Sequence, residues 1–175
     1  MKRIAIVGSN GRIAERHRKA IESIPGFLLV ATVDTEGDAD YKDHRKLLGS
    51  NVDLAVVCTP NGTHYQIAKD ILDWEIETLI EKPVAMKVNE VFDLSMYPKA
   101  FAVLQLRYDE AVERAMRIPV EDIYSMNLTI HWKRDQAYFK GWKGTKSLDG
   151  GLLLNQGIHY LDIIHLLATR GKGMP

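Results

Sequence analysis

The sequence predicts an α/β fold: a doubly wound parallel sheet covered by helices, followed by a shortened α+β region. Three observations carry this. Short apolar runs alternate with stretches of helical periodicity. The links between them are short, as in strand–helix–strand units. A turn with two glycines joins the first apolar run to the first helical stretch.

Residues 3–7, RIAIV, form an apolar run bounded by Gly8, the pattern of a strand buried on both faces. Residues 12–24 follow with Ile13, Ala20, Ile21 and Ile24 on one helical face, ended by Pro25 and Gly26. FLLVATVD (27–34) is a second strand. Residues 41–49 form a short helix stopped by Gly49. DLAVVCT (53–59) is a third strand. Residues 63–74 form a helix with Thr63 and Gln66 in capping-box positions. ETLIEKP (77–83) is a fourth strand, 88–94 a short helix and AFAVLQL (100–106) a fifth strand. After Tyr108 the rhythm changes. Residues 109–117 are helical, and 121–133 are one long, partly alternating strand. A polar, aromatic loop spans 134–151, and 152–168 are a final helix. The domain boundary is set at Arg107, giving a dinucleotide-binding domain at 1–107 and a truncated substrate and oligomerisation region at 108–175.

Composition excludes several classes. The 175 residues carry 23 Lys+Arg and 23 Asp+Glu, so no net charge draws the chain to nucleic acid or anionic lipid. No apolar run reaches membrane-spanning length, and Gly8 interrupts the first one too early for a signal peptide. The single cysteine, Cys58, cannot form an internal disulfide, which fits a cytoplasmic setting. Scattered histidines and a lone cysteine argue against a metal.

The stretch GSNGRIA (8–14) suits a Rossmann-type dinucleotide loop. Gly8 and Gly11 allow a sharp turn and close approach to a pyrophosphate, and the helix that begins at Arg12 and Ile13 offers free N–H groups. Asn10 takes an extra place in the motif and tolerates left-handed backbone. Asp34, at the end of the second strand, stands where a carboxylate accepts from the adenosine ribose and repels a 2′-phosphate. The expected cofactor is NAD.

Four segments together, IAIVGSNGRIAERH, VDLAVVCTPNGTHYQIAKDIL, LIEKP and GGLLLNQGIHYLDIIH, resemble the Gfo/Idh/MocA family of NAD(P)-dependent sugar oxidoreductases. The resemblance covers nearly the whole chain, and Glu81-Lys82-Pro83 is its most specific part. LQLRYDEAV, YFKGWKGTKS and the Asn155 motif look most like the branch that oxidises UDP-N-acetyl-2-amino-2-deoxyglucuronate at C3, in bacterial surface-polysaccharide synthesis. The resemblance implies roles by position. Cys58, Thr59, Pro60, Asn61 and His64 would line the nicotinamide side of the cleft. Glu81 and Lys82 would reach the nicotinamide ribose and the substrate, and Gln105 and Arg107 would border the cleft floor. Trp142 and Lys143 would approach cofactor or substrate from the loop. Asn155 and His159 would face the reacting carbon.

These residue types suit hydride transfer from a sugar carbon. The hydroxyl proton must leave as the hydride does, so a base must lie within reach. His159 has a suitable ordinary pKa, and Lys82 can hold the oxygen as charge develops or join the proton relay. Asp162, one turn on, is expected to orient the histidine or cap a neighbouring element. Bland readings stand beside these. Arg16, His17, Arg18 and Lys19 read as a solvated helix face, His165 as a surface or packing residue, and Trp132 and Trp142 as packing residues.

The chain departs from the family pattern in three ways. The segment from Pro83 to Gln105 is short, Asn155 replaces an aspartate, and most of an open antiparallel sheet is missing. The one long strand, paired with QAYFKGW (136–142) as a hairpin, would leave an open edge. A homo-oligomer joined through residues 122–133 is therefore expected. The leading function is a dehydrogenase of a sugar or nucleotide sugar. The alternative is a catalytically inactive NAD-binding protein that senses cofactor or partners a full-length relative.

Overall fold

A computed structural model describes residues 1–140, 143 and 145–169. The chain divides into two compact units, Met1–Val103 and a second that begins at Leu104.

The first unit is built on five strands: β1 (Lys2–Val7), β2 (Phe27–Val33), β3 (Leu54–Val57), β4 (Glu77–Ile80) and β5 (Ala100–Ala102). They lie in the order β2-β1-β3-β4-β5, and every neighbouring pair is parallel. The chain thus winds outward from β1 to β2, then crosses back and proceeds the other way. That reversal sets the carboxyl ends of β1 and β3 side by side, with Val7 opposite Val57. Connections diverge at such a switch point and leave a crevice for ligands.

Alternate strand residues serve opposite faces. Ala5, Val7, Ala55 and Val57 join one core with Ala68, Ile71 and Leu72 of α2 (His64–Asp73) and Leu94 of α3 (Val88–Ser95). Ile4, Ile6, Val56 and Cys58 join a second core with Ala14 and Ile21 of α1 (Arg12–Ser23). Burial on both faces explains why these strands read as continuous apolar runs. Ile4, Ile6, Ile71 and Ile80 are fully buried, and each contributes roughly 1.5–3 kcal/mol by leaving water.

Several local expectations are corrected. The buried face of α1 runs through Ala14 and Ile21, while Ala20 is exposed and Ile24 lies past the helix end. The helix expected at 41–49 is a 3-10 turn, His44–Leu47, in which the Asp43 carboxylate accepts from the Arg45 N–H. The capping box does not form. The Thr63 hydroxyl donates to Pro60 O and pairs with the Thr59 hydroxyl, closing a preceding 3-10 turn, and Gln66 donates to Asp70. β5 is three residues long, and a 3-10 turn over Gln105–Tyr108 follows.

The second unit contains α4 (Glu110–Ala115), 3-10 turns at Val120–Asp122 and Gln136–Phe139, and α5 (Lys146–Asp149). A π-helical turn, Leu153–Gly157, then leads into α6 (Ile158–Thr169). The long strand expected at 121–133 does not form, nor does the hairpin with 136–142: among the described residues this unit has no strand. A strand is defined by hydrogen bonds to a neighbour, and no described segment of this unit lies alongside to supply them. The period-two pattern survives as a row of half-exposed Met126, Leu128, Ile130 and Trp132.

Candidate functional site

The glycine turn is shaped by the strand beside it. Gly8 has φ +86°, and both its N–H and that of Ser9 donate to Val33 O, at 2.7 and 3.2 Å. A Cβ at Gly8 would lie 2.7 Å from Thr59 N and 2.8 Å from the Cys58 carbonyl carbon. Only glycine allows the loop to cross the end of β3 so closely. Gly11 is the N-cap of α1 and has no side chain to cover the helix's first N–H groups. Arg12 and Ile13 open that helix, Arg12 exposed and Ile13 packed on the second core. Asn10 ties the loop to β2: its N–H donates to Asp34 Oδ2 at 2.9 Å, and its side chain donates to Glu36 O. Gly8, Asn10, Gly11, Arg12, Ile13 and Asp34 therefore share one end of the sheet. An open helix N-terminus behind a backbone-only turn fits a pyrophosphate, so the residues present suit a dinucleotide.

Cys58, Thr59, Pro60, Asn61 and His64 form the adjacent wall. Burial, with the charge of Glu81, pushes the Cys58 thiol far above its usual range, so it is no nucleophile. His64 is 1% exposed, with Nδ1 2.7 Å from Pro83 O and Nε2 2.7 Å from Thr59 O. Burial pushes its pKa below the ordinary imidazole value, against the two carbonyls, which favour the protonated ring. A lowered folded pKa means that the unfolded chain binds the proton first. The stability His64 contributes is thus complete above about pH 6.5, the unfolded value, and is lost as pH falls below it. We expect the Tm of the wild type to fall more steeply than that of His64→Asn between pH 7 and pH 5. Parallel Tm–pH curves would refute this.

Glu81, Lys82 and Pro83 turn the chain away from the end of β4, with a cis peptide between Lys82 and Pro83. The Glu81 N–H still donates to Val57 O at 3.0 Å. Its carboxylate is buried, bonded through Oε1 to His17 Nε2 at 2.8 Å and through Oε2 to the Lys82 N–H at 3.2 Å. His17 is therefore no part of a solvated face: its side chain is only 16% exposed. One signal was available, since Ile13, His17 and Ile21 recur at four-residue spacing along one side of the helix.

In the second unit, two of the residues expected to meet substrate, Asn155 and His159, lie on adjacent turns. Asn155 and His159 are buried, Asn155 within the π-helical turn and His159 in the first turn of α6. π-Turns are frequent at functional sites. Gln156, between them in sequence, is also buried and donates to Tyr138 O–H at 2.7 Å. The Lys143 ammonium lies 4.6 Å from the centre of the same Tyr138 ring. Asp162 has a different partner from the one expected: its carboxylate takes both Nε and a terminal nitrogen of Arg107, with Nε at 2.8 Å. That pair joins the 3-10 turn carrying Gln105 and Arg107 to α6. Trp142 lies outside the described residues. Among the described residues, no three His, Cys, Asp or Glu side chains converge as a metal would need.

A family model described as the oxidoreductase family, NAD-binding Rossmann fold, matches residues 2–100. The chain belongs to the Gfo/Idh/MocA oxidoreductase family. The family's C-terminal α/β domain model matches residues 120–170. Among Gfo/Idh/MocA-like curated proteins, a putative UDP-kanosamine synthase oxidoreductase subunit of Amycolatopsis mediterranei is 26% identical, over 94% of this chain and 51% of its own length. The glucose-6-phosphate 3-dehydrogenase of Bacillus subtilis is 25% identical, over 95% of this chain and 54% of its own. The chain thus spans about half the length of the curated relatives it matches. Among solved structures, the WlbA dehydrogenase of Chromobacterium violaceum, in complex with NADH and UDP-GlcNAcA, superposes with a TM-score of 0.84. It is 27% identical, over 95% of this chain and 55% of that one. The cofactor of this Gfo/Idh/MocA chain is NAD. Among the described residues, no helix is long and apolar enough to cross a membrane.

Proposed function

We propose that the chain is an NAD-dependent dehydrogenase of a sugar or nucleotide sugar, acting at a hydroxyl carbon such as C3 of a UDP-N-acetylhexosaminuronate, in the cytoplasm. The observation that carries this is the buried, doubly bonded Glu81 that seats Lys82 at the end of β4, one strand away from the glycine crossing. The likeness to a dehydrogenase bound to NADH and UDP-GlcNAcA supports the substrate class.

Each residue has a stated task. Gly8, Gly11, Asn10, Arg12 and Ile13 would hold the pyrophosphate, and Asp34 the adenosine ribose. Cys58, Thr59, Pro60, Asn61, His64 and Gln105 would line the cofactor's reactive end, with Trp142 closing it from the loop. NAD, when bound, supplies the hydride acceptor. Lys82 would hold the sugar oxygen as negative charge develops. His159 would take the hydroxyl proton, and Asn155 would orient the hydroxyl. Arg107 and Lys143 would meet the anionic groups of the substrate. The half-exposed row from Met126 to Trp132 would pair across a boundary between two copies of the chain through residues 122–133.

The test is reduction of NAD+ by a panel of UDP-sugar uronates, followed at the NADH absorbance band, with NADH binding measured in parallel. Turnover on one of them is expected. Binding of NADH with no turnover on any sugar would overturn the enzyme reading in favour of an inactive cofactor-binding protein.

A further inference from the structure

We propose that His17 is a positioning residue for Lys82, acting through the Glu81 carboxylate; this rests on the catalytic role proposed for Lys82. A carboxylate as buried as that of Glu81 is costly unless both oxygens are satisfied. One oxygen bonds His17 Nε2 and the other accepts from the Lys82 N–H. The backbone position from which Lys82 departs is thus held by a side chain that α1 itself holds.

The next residue is gripped from the other face of the sheet. His64, on α2, bonds Pro83 O through Nδ1 and Thr59 O through Nε2. α1 and α2 belong to opposite cores, so two imidazoles brace the Glu81-Lys82-Pro83 turn between them. The two braces have different consequences. α1 begins at Arg12, capped by Gly11 of the glycine turn, and His17 lies about one and a half helical turns further on. One rigid helix therefore joins the loop that would hold the pyrophosphate to the turn that carries the lysine. His17 sets the lysine's place relative to the cofactor loop. Loss of the His17 bond leaves a buried carboxylate oxygen unpaired. Glu81 then rotates, and the Lys82 amide loses its fixed acceptor.

The experiment compares His17→Leu and His17→Gln with the wild type, measuring kcat, KM for the sugar, NADH affinity and Tm. A misplacement of about 1 Å at a reacting group costs on the order of 10²-fold in rate. His17→Leu is therefore expected to lower kcat by roughly 10- to 100-fold, with KM and NADH affinity within about threefold. His17→Gln, whose amide N–H can reach the same carboxylate, is expected to recover most of kcat. A kcat within about twofold of wild type in His17→Leu would overturn the proposal. So would equal losses in both variants, or a loss confined to KM and NADH affinity.

If the wild type turns over no sugar, the catalytic reading fails separately. The positioning claim is then read from 13C-dimethylated lysine spectra, with the Lys82 signal assigned by its loss in Lys82→Arg. A Lys82 signal that shifts in His17→Leu and returns in His17→Gln upholds the brace. One that stays in place in both variants refutes it.

Discussion

Lys82→Met is expected to lower kcat by about 10³-fold or more, a loss far larger than its effect on NADH affinity. Two effects are removed at once. In the proposed mechanism the ammonium would stabilise the oxygen on which charge develops, an effect worth on the order of 10²–10³-fold. A place in the proton relay would be worth on the order of 10²–10⁴-fold. The two overlap, so they do not multiply in full. Methionine keeps the length of the stem, and the Lys82 N–H that bonds Glu81 is backbone, unchanged by the substitution. The Tm should therefore move by no more than a few degrees. Steady-state kinetics with a turned-over sugar, beside NADH titration, checks this. Turnover unchanged in Lys82→Met would remove the lysine from the mechanism.

Gly8→Ala is expected to damage both stability and cofactor binding. At φ +86° an L-residue loses about 1–2 kcal/mol to backbone strain. Its Cβ would also lie within 3.0 Å of three backbone atoms of Cys58 and Thr59. Those atoms belong to the end of β3 and cannot step aside as a flexible side chain would, so overlap adds roughly 1–3 kcal/mol. Together they lower Tm on the order of 10 °C in a chain of this size. The loop moves off β3 to relieve the overlap, and NADH binding weakens by at least roughly tenfold, about 1.4 kcal/mol. Gly26→Ala is the control. Gly26 also has positive φ, +89°, but a Cβ there meets nothing within 4 Å. It should lose stability through strain alone and keep its NADH affinity. Equal effects at the two positions would show that the close crossing at Gly8 is not what makes glycine necessary there.

The strands of the first unit were readable because each lies in a short, largely apolar run, and in β1 and β3 burial on both faces leaves little polar alternation to confuse the pattern. The glycine turn and Asp34 were readable for a related reason. Their places follow from position relative to one strand and one helix, a local relation. Thr63 and Gln66 show the limit of local signals. They have the spacing of a capping box, yet Thr63 closes the turn before the helix and Gln66 reaches forward to Asp70.

Two features depended on partners that no window of sequence contains. Residues 121–133 have the alternation of a strand, but alternation describes only which side chains share a face. Whether a ladder forms depends on a neighbour, and no described segment of the second unit provides one. His17 sits in a run of charged residues that reads as solvated, and its partner Glu81 is 64 positions away. Periodicity and turn residues were enough to place the parallel sheet and the glycine turn, because short-range sterics and burial govern them, whereas the turn at Glu81-Lys82-Pro83 reads locally as a continuation of β4, which ends at Ile80. The packing of α1 on the sheet decided which histidine meets which carboxylate, since a hydrogen bond needs two groups within about 3 Å and only the folded sheet brings these two that close.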